Sequence, residues 1–299
     1  MSSKTPISLV TGSLGSGKTT LLREIIESFP GRLAVLMNEF GEIGIDGRLL
    51  RGRNLEMVEL TGGCVCCSLS GEFEAAVREI LDKIEPDLIV VEATGVAEAD
   101  ALVFDIEDSL PEVRLDGILC IVDGYASVRY PSLGYTARTQ LEVADVVLIN
   151  KTDLIKPEEV RRVEDQVRRF NGRAVLVPTV RCRVDLRVLL GIHSLGLPRR
   201  APASQDQPAF RSFVYRAERP LDEAKFRQWA SDLPLSVYRA KGFVRFASGG
   251  MLFNYVAGRW DLEVFAGDRT ELVFIGVGTD ADRESILRRL EGCGIQDAL

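Results

Sequence analysis

Three of the six cysteines lie within four positions, at Cys64, Cys66 and Cys67. Three thiolates form a soft donor set that suits Zn²⁺, Cu(I) or iron. A C-x-C-C loop cannot complete a tetrahedral shell alone, so the fourth ligand must be a carboxylate, a solvent molecule or another chain. Glu39 and Glu42 are the intrachain carboxylates that we consider first. A redox pair and a buried cysteine cluster are the alternatives, and we favour the metal because a disulfide between adjacent cysteines would be strained.

A phosphate-binding pattern, G-x-x-x-x-G-K-[ST], occupies residues Gly12–Thr19. It follows a predicted strand and opens a predicted amphipathic helix, as the pattern requires. Its small residues let backbone N–H groups surround phosphate oxygens, and we expect this from Gly12, Gly15, Ser16 and Gly17. Lys18 is expected to reach the β- and γ-phosphates, and the Thr19 hydroxyl to ligate Mg²⁺. A glycine-rich turn that only caps a helix is the alternative.

A second nucleotide motif, Asn150-Lys151-Thr152-Asp153, closes a predicted strand. The Asp153 carboxylate can accept hydrogen bonds from N1–H and N2–H₂ of guanine, a donor pair that adenine lacks. Such charge-assisted bonds are worth roughly 1.5–3 kcal/mol each, so ATP would be disfavoured by about two to four powers of ten. We expect Asn150 to fix the loop and the purine edge, and the stem of Lys151 to cover the base. The predicted nucleotide is therefore GTP or GDP.

Carboxylates on two other segments could serve Mg²⁺ and catalysis. Glu92 ends an apolar strand, where it can hold Mg²⁺ or orient its waters beside the γ-phosphate. The segment Asn38–Asp46 follows the second strand, where a phosphate-sensing loop would lie. We expect Asp46 to join Thr19 and Glu92 as a Mg²⁺ ligand and Glu39 to join Lys18, Asp46 and Glu92 in catalysis. Loop solvation is an equally good interpretation of the acids in Asn38–Asp46.

Charge and composition exclude several classes of function. The formal net charge is −7 and the pI about 5.1, whereas nucleic-acid binding needs clustered Lys and Arg. The longest apolar runs are the length of strands and too short to cross a bilayer. The first residues lack the pattern of a signal peptide, and the cysteines do not form a disulfide framework. We therefore expect a cytoplasmic protein with no nucleic-acid or membrane partner.

The motifs lie on a chain that alternates short apolar runs with helical patterns, which indicates a parallel sheet flanked by helices. Strands are predicted near 7–11, 33–37, 55–60, 87–92, 116–122, 145–149 and 174–178. Helices are predicted near 18–28, 70–84, 97–108, 137–142 and 157–170. Because ligands gather at the carboxyl ends of parallel strands, the thiols and the phosphate loop should share one edge of this sheet and lie as neighbours there.

A second, smaller α+β domain is predicted beyond a linker. Residues 198–208 are rich in Pro, Ala and polar side chains and mark that linker, so the domains are 1–197 and 209–299. The second domain has predicted strands at 210–216, 235–246, 250–256, 259–264 and 272–276. Its predicted helices are 221–231 and 283–290.

Taken together, the motifs resemble those of the CobW family of P-loop GTPase metallochaperones, which is related to the nickel-insertion GTPases of hydrogenase and urease maturation. The resemblance covers almost the whole chain. It is carried by Thr19-Thr20, Asn38-Glu39-Phe40-Gly41 running to Asp46, Gly62-Gly63 before the three thiols, Glu92–Gly95, Asn150–Asp153, Arg239-Ala240-Lys241-Gly242-Phe243 and Phe274-Ile275-Gly276. It implies a P-loop NTPase fold and adds Thr20 to the nucleotide-binding residues.

By this resemblance the thiols bind Zn²⁺ or a similar ion such as Co²⁺, Fe²⁺ or Ni²⁺, and GTP governs metal retention and partner docking. Of the two candidate carboxylates for the fourth position, we choose Glu42. A client metalloprotein and a homodimer are the implied partners. Two departures qualify the likeness. Many relatives carry a His-rich stretch, whereas this chain has only His193, which argues for one exchangeable ion. Ala93 also stands where the family usually has Ser or Thr.

The leading hypothesis is a slow GTPase that loads or releases metal. No residue is a convincing water-positioning Gln, so we expect an intrinsic rate of roughly 10⁻² s⁻¹ or less. A metal-responsive regulator in which hydrolysis is incidental is the alternative. A P-loop kinase with a structural zinc is a third possibility, and the guanine motif argues against it.

Overall fold

A computed structural model describes residues 4–37, 55–59, 70–93, 102–190, 211–264, 269–276 and 280–295. The predicted linker 198–208 and His193 lie outside these ranges. So do the candidate metal ligands and loop acids, Cys64, Cys66, Cys67, Glu39, Glu42 and Asp46. The chain folds into two compact units that divide near residue 208.

A seven-stranded parallel sheet forms the centre of the first unit. Its described strands are β1 (Thr5–Gly12), β2 (Leu33–Met37), β3 (Leu55–Glu59), β4 (Leu88–Glu92), β5 (Val113–Asp123), β6 (Val146–Asn150) and β7 (Val175–Pro178). The order is β3-β2-β4-β1-β5-β6-β7, and every neighbouring pair is parallel. β4 and β6 are buried at every position, as expected for a sheet covered on both faces. The predicted parallel sheet is confirmed, with bounds that differ by a few residues.

The strand order changes direction beside β1. The later strands β2, β3 and β4 lie on one side of β1, and β5, β6 and β7 lie on the other. In open α/β sheets, ligands bind at the carboxyl end of such a switch point. The phosphate loop leaves the sheet from this position, at the end of β1.

Helices connect these strands. Their described bounds are α1 (Lys18–Ser28), α2 (Ser70–Ile84), α3 (Gly124–Arg129), α4 (Tyr135–Val143), α5 (Pro157–Arg168) and α6 (Leu186–Leu189). α5 shows how the sequence sets a helix start, because Pro157 occupies the first turn and Glu159 accepts a 2.8 Å hydrogen bond from the backbone N–H of Lys156. The sequence does not predict α3 and α6, since helices of six and four residues give no periodic signal.

The helix predicted at 97–108 is only partly confirmed. Residues 97–101 lie outside the described ranges, and residues 102–104 are α-helical. The chain then widens into a π-helical turn, Asp105–Ser109, which buries Ile106 in the core. A π turn interrupts the 3.6-residue period, so the sequence pattern does not reveal it. None of the described helices is long and apolar enough to span a membrane.

The second unit is an antiparallel sheet packed against two helices, so the predicted α+β domain is confirmed. Its described elements are β8 (Arg211–Ala217), α7 (Glu223–Ser231), β9 (Val237–Phe246), β10 (Gly249–Val256), β11 (Arg259–Val264), β12 (Thr270–Gly276) and α8 (Asp280–Glu291). The strand order is β11-β10-β9-β12-β8. Phe226 and Trp229 of α7 pack onto Phe253 and Phe274 of the sheet. The hairpin turn between the strands predicted at 250–256 and 259–264 falls at Ala257-Gly258, where both residues have positive φ.

Candidate functional site

The phosphate loop depends on two glycines that no larger residue could replace. Gly12 has φ +139°, and a Cβ there would lie 2.4 Å from the carbonyl oxygen of Ile121 in β5. Gly17 has φ +123°, and its Cβ would lie 2.5 Å from Nδ2 of Asn150. Both the left-handed backbone and the close approach require glycine. The loop is thereby pressed against β5 on one side and the end of β6 on the other.

The N-terminus of α1 opens onto this loop, and the first turn of the helix contains no Asp or Glu. Gly17 occupies the N-cap position and has no side chain that could cap the helix. The Ser16 hydroxyl is buried and has no hydrogen-bond partner among the described residues. Leaving such a group unsatisfied costs about 1–3 kcal/mol. Free helix N–H groups and an orphaned hydroxyl fit an anionic oxygen ligand such as a phosphate.

Lys18 and Glu92 meet beneath the loop. Nζ of Lys18 lies 3.8 Å from Oε1 of Glu92 and donates to the carbonyl oxygens of Gly12 at 3.2 Å and Ser13 at 3.5 Å. Both charged side chains are buried. Glu92 reaches this position because β4 pairs directly with β1, with Val10 opposite Glu92. The structure therefore brings together the lysine and the strand-end acid named from the sequence. Thr19 is partly buried and Thr20 exposed on α1.

Asn150 joins the phosphate loop to two other segments. Its Nδ2 donates to the carbonyl oxygen of Ser16 at 2.8 Å. Its Oδ1 accepts from the backbone N–H of Cys182 at 2.9 Å and from the hydroxyl of Thr179 at 3.3 Å. Both ends of the amide are therefore engaged. The end of β6 is thus fixed against the phosphate loop and the loop after β7.

The rest of the Asn150–Asp153 motif forms a tight turn. Lys151 adopts a left-handed conformation, with φ +63° and ψ +35°. Thr152 is buried, and both its N–H and its hydroxyl donate to the carbonyl oxygen of Thr179, at 3.2 and 3.1 Å. Asp153 is exposed. The two hydrogen bonds from Thr152 fix the backbone of the turn against Thr179, and the Asp153 carboxylate stays accessible to a ligand.

Cys182 is a residue of this site that sequence reasoning missed. It is fully buried, and its Sγ lies 3.5 Å from the carbonyl oxygen of Gly17. Burial raises the pKa of the thiol to about 12, with a smaller contribution from the charge of Glu24. In the sequence, Cys182 could be linked to the nucleotide site only by its position just after β7, a strand of the sheet. The positive φ values of Arg181 and Cys182 cannot be predicted from the sequence. Cys120 is buried in β5.

The described part of the chain contains no cluster of three or more metal-binding side chains. The thiols Cys64, Cys66 and Cys67 lie beyond it, and the structure gives only the strand that leads to them. β3 ends at Glu59, five residues before Cys64. It is the edge strand, three positions from β1, which corresponds to about 14 Å at ordinary strand spacing. β2, which leads to the Asn38–Asp46 segment, and β4, which carries Glu92, lie between them.

Known proteins match this chain along nearly its whole length. The family model "CobW/HypB/UreG, nucleotide-binding domain" matches residues 6–178, and the model of the CobW C-terminal domain matches residues 210–294. The zinc chaperone YjiA of Escherichia coli is 30% identical and the alignment covers 91% of this chain and 85% of YjiA. The zinc chaperone CobW of a Sinorhizobium species is 29% identical, over 92% of this chain and 93% of its own.

A solved structure has the same fold. The crystal structure of the Zn(II)-bound YjiA GTPase from E. coli matches with a TM-score of 0.50 and 25% identity, over 98% of this chain and all of that one. The two family models lie in the two compact units described above. The chain therefore belongs to the CobW/HypB/UreG family of P-loop nucleotide-binding proteins and carries the CobW C-terminal domain.

Proposed function

We propose that this protein is a GTP-hydrolysing metal chaperone that binds one Zn²⁺ ion through its C-x-C-C loop and couples its GTP state to metal retention and delivery. The observation that carries the proposal is the shared sheet edge. The strands β1, β4, β2 and β3 are consecutive neighbours in the sheet. Glu92 ends β4, and the phosphate loop, the segment Asn38–Asp46 and the thiol loop follow β1, β2 and β3 in the sequence. Binding of nucleotide or metal at the end of one strand can therefore shift the segment at the end of the neighbouring strand.

The chain is a GTPase, and the geometry of the phosphate loop supports specific roles. The N–H groups of Gly12, Gly15, Ser16 and Gly17 would surround the phosphates, together with the hydroxyls of Ser16, Thr19 and Thr20. Lys18 would contact the β- and γ-phosphates. Its Nζ lies against the Gly12 and Ser13 carbonyl oxygens, which places the ammonium group within the loop that would hold those phosphates.

Guanine specificity would come from the exposed carboxylate of Asp153. It would accept from N1–H and N2–H₂ of the base, with Lys151 covering the ring. Asn150 would transmit base binding to the phosphates, because its amide already joins Ser16 to the Thr179–Cys182 loop.

Thr19, Asp46 and Glu92 would hold Mg²⁺, which neutralises charge on the phosphates during transfer. The Glu92 carboxylate lies beside Lys18, so the two would stay paired across the γ-phosphate site. Glu39 would act near the attacking water. The buried methyl group of Ala93 supplies no hydroxyl here, which fits slow intrinsic hydrolysis.

The thiolates of Cys64, Cys66 and Cys67 would hold the cargo ion, with Glu42 or a solvent molecule as the fourth ligand. The choice of Zn²⁺ is supported by the soft donor set and by the two relatives named as zinc chaperones. An incomplete protein shell leaves a position open to a ligand of the recipient. The recipient would be a client metalloprotein that takes the ion directly.

Native mass spectrometry tests this proposal. The protein is purified without chelator and measured with a non-hydrolysable GTP analogue, with GDP and without nucleotide. We expect one metal ion per chain and an occupancy that differs between the two nucleotide states. Cys66→Ser should lose the ion and keep GTP. Cys293→Ser is the matched control, because this buried cysteine belongs to the second unit and donates to the carbonyl oxygen of Arg289. Equal loss of metal and GTP in Cys66→Ser would mean that the thiols are structural.

A further inference from the structure

We propose that Asp123 positions Lys151 for purine binding and so sets the affinity for the nucleotide without reading the base. Asp123 belongs to neither of the nucleotide motifs. The inference rests on the proposed assignment of Asn150–Asp153 to the guanine site.

Asp123 stands beside the guanine motif because of strand register. It is the last residue of β5 and pairs directly with Asn150, the last residue of β6. Its Oδ2 lies 2.5 Å from Nζ of Lys151. Its Oδ1 accepts a 2.9 Å hydrogen bond from the backbone N–H of Ala126, which caps α3. Both carboxylate oxygens are therefore used, and the direction of the ion pair is fixed by a helix as well as by a strand.

The packing around this pair is close. A Cβ on Gly124 would lie 2.9 Å from the carbonyl oxygen of Asn150, so α3 starts in contact with the end of β6. The Asp123 side chain is only 13% exposed, and that of Lys151 is 35% exposed. An ion pair shielded to this degree is screened less by solvent than one on an open surface. Asp123 can therefore hold the lysine in one place.

Lys151 needs such support because its backbone is left-handed. A residue with a side chain persists in that region only where its surroundings hold it. Asn150 and Thr152 fix the backbone on either side, and Asp123 fixes the side chain. Without the carboxylate charge, the long stem of Lys151 would sample many rotamers, and ordering it against a ligand would cost affinity.

The predicted effect does not depend on which purine is bound. The stem of Lys151 can cover the face of any purine, whereas Asp153 reads the edge that distinguishes them. Xanthine has a carbonyl where guanine has its 2-amino group, so an Asp153→Asn amide can donate to it. Loss of the Asp123 charge should therefore lower the affinities for GTP and XTP by the same factor. A substitution at Asp153 should change the ratio of the two affinities.

Calorimetric titration of GTP and XTP into variants tests this. Asp123→Asn keeps an oxygen to cap α3 and removes the charge. We expect both dissociation constants to rise by about 5- to 30-fold, with kcat and the GTP:XTP ratio unchanged. In a Lys151→Met background, which keeps an apolar stem, Asp123→Asn should change affinity by less than about twofold, because the two residues act as a pair. Asp222→Asn, at the cap of α7 in the second unit, should have no effect.

The outcomes separate this inference from the proposed function. Additive effects of the two substitutions, or a loss of thermal stability with unchanged nucleotide affinity, would show that Asp123 is only structural. Asp153→Asn should shift preference from GTP towards XTP. If the preference of Asp153→Asn does not shift, Asn150–Asp153 is not the guanine site and the proposed role of Asp123 is also wrong. If the preference shifts but Asp123→Asn leaves both affinities unchanged, only the role of Asp123 is overturned.

Discussion

The side-chain amide of Asn150 donates a 2.8 Å hydrogen bond to the carbonyl oxygen of Ser16, which lies 134 positions earlier in the chain. The bond ties the end of β6 to the phosphate loop. The same amide holds the loop after β7 through the N–H of Cys182. The two nucleotide motifs are therefore joined by one side chain.

Replacing Asn150 by Ala should weaken both folding and GTP binding. It leaves the Ser16 carbonyl and the Cys182 N–H without partners, at a cost of about 1–3 kcal/mol in the free energy of unfolding. We expect at least about a tenfold loss of GTP affinity, since each 1.4 kcal/mol corresponds to that factor. Chemical denaturation and calorimetry measure the two effects. Asn254→Ala removes a buried amide of the second unit and should leave GTP affinity unchanged.

Gly17→Ala should abolish tight GTP binding. The new Cβ would meet Nδ2 of Asn150 at 2.5 Å and Sγ of Cys182 at 2.9 Å, in a backbone conformation that alanine avoids. The loop must then move away from the phosphates, and each 1.4 kcal/mol of phosphate contact that is lost lowers the GTP affinity by about tenfold. Gly172→Ala is the matched control, because its Cβ would meet nothing within 4 Å. Near-normal GTP affinity in Gly17→Ala would contradict the described loop geometry.

Glu92→Gln should slow hydrolysis more than it weakens GTP binding. The change removes the buried negative charge 3.8 Å from Lys18 while preserving shape. We expect kcat to fall by about 10²-fold, the usual cost of removing one electrostatic group at a reacting centre. The Mg²⁺ concentration for half-maximal rate should rise. A steady-state assay over a Mg²⁺ series measures both quantities, and an unchanged Mg²⁺ dependence would remove Glu92 from the metal site.

The stability of the first unit should fall in alkaline solution. Burial raises the pKa of Cys120 to about 12, above the ordinary thiol value of 9.0. Below pH 9 both folded and unfolded states keep the proton, so stability is unaffected. Between pH 9 and 12 only the unfolded state loses it, and stability declines with pH. The thermal midpoint of Cys120→Ala should fall less steeply above pH 9 than that of the unmodified protein. Parallel slopes would show that Cys120 does not contribute.

Periodicity and motif spacing were sufficient to predict the sheet and most helices, and they assigned both Lys18 and Glu92 to the surroundings of the γ-phosphate. The ion pair between the two side chains was not predicted. Buried strands give continuous apolar runs, and the phosphate pattern fixes the junction of β1 with α1. The strand order could not be predicted, because side-chain alternation does not specify which strands pair. The strand order bears on the proposed coupling of metal and GTP. Cys64, Cys66 and Cys67 follow β3, which is an edge strand three positions from β1 and not a neighbour of it.

The sequence also could not reveal Cys182 or Asp123 as parts of the site. Each depends on register between distant strands and on a backbone conformation with positive φ nearby. A lone Cys or a strand-end Asp has no spacing signal of its own. Asp123 ends β5 and Cys182 lies in the loop after β7, so their places in the site can be recognised only once the pairing of these strands is known.

The GTP dissociation constant, measured with and without saturating Zn²⁺, tests most directly whether metal binding and GTP binding are coupled. A coupling of about 1–3 kcal/mol, typical of linked sites, predicts a change of about 5- to 150-fold, and an equal change in Zn²⁺ affinity when GTP is saturating. Cys66→Ser should abolish the difference. If Zn²⁺ changes neither the dissociation constant nor the hydrolysis rate of GTP, the two sites act independently and the chaperone cycle proposed here is contradicted.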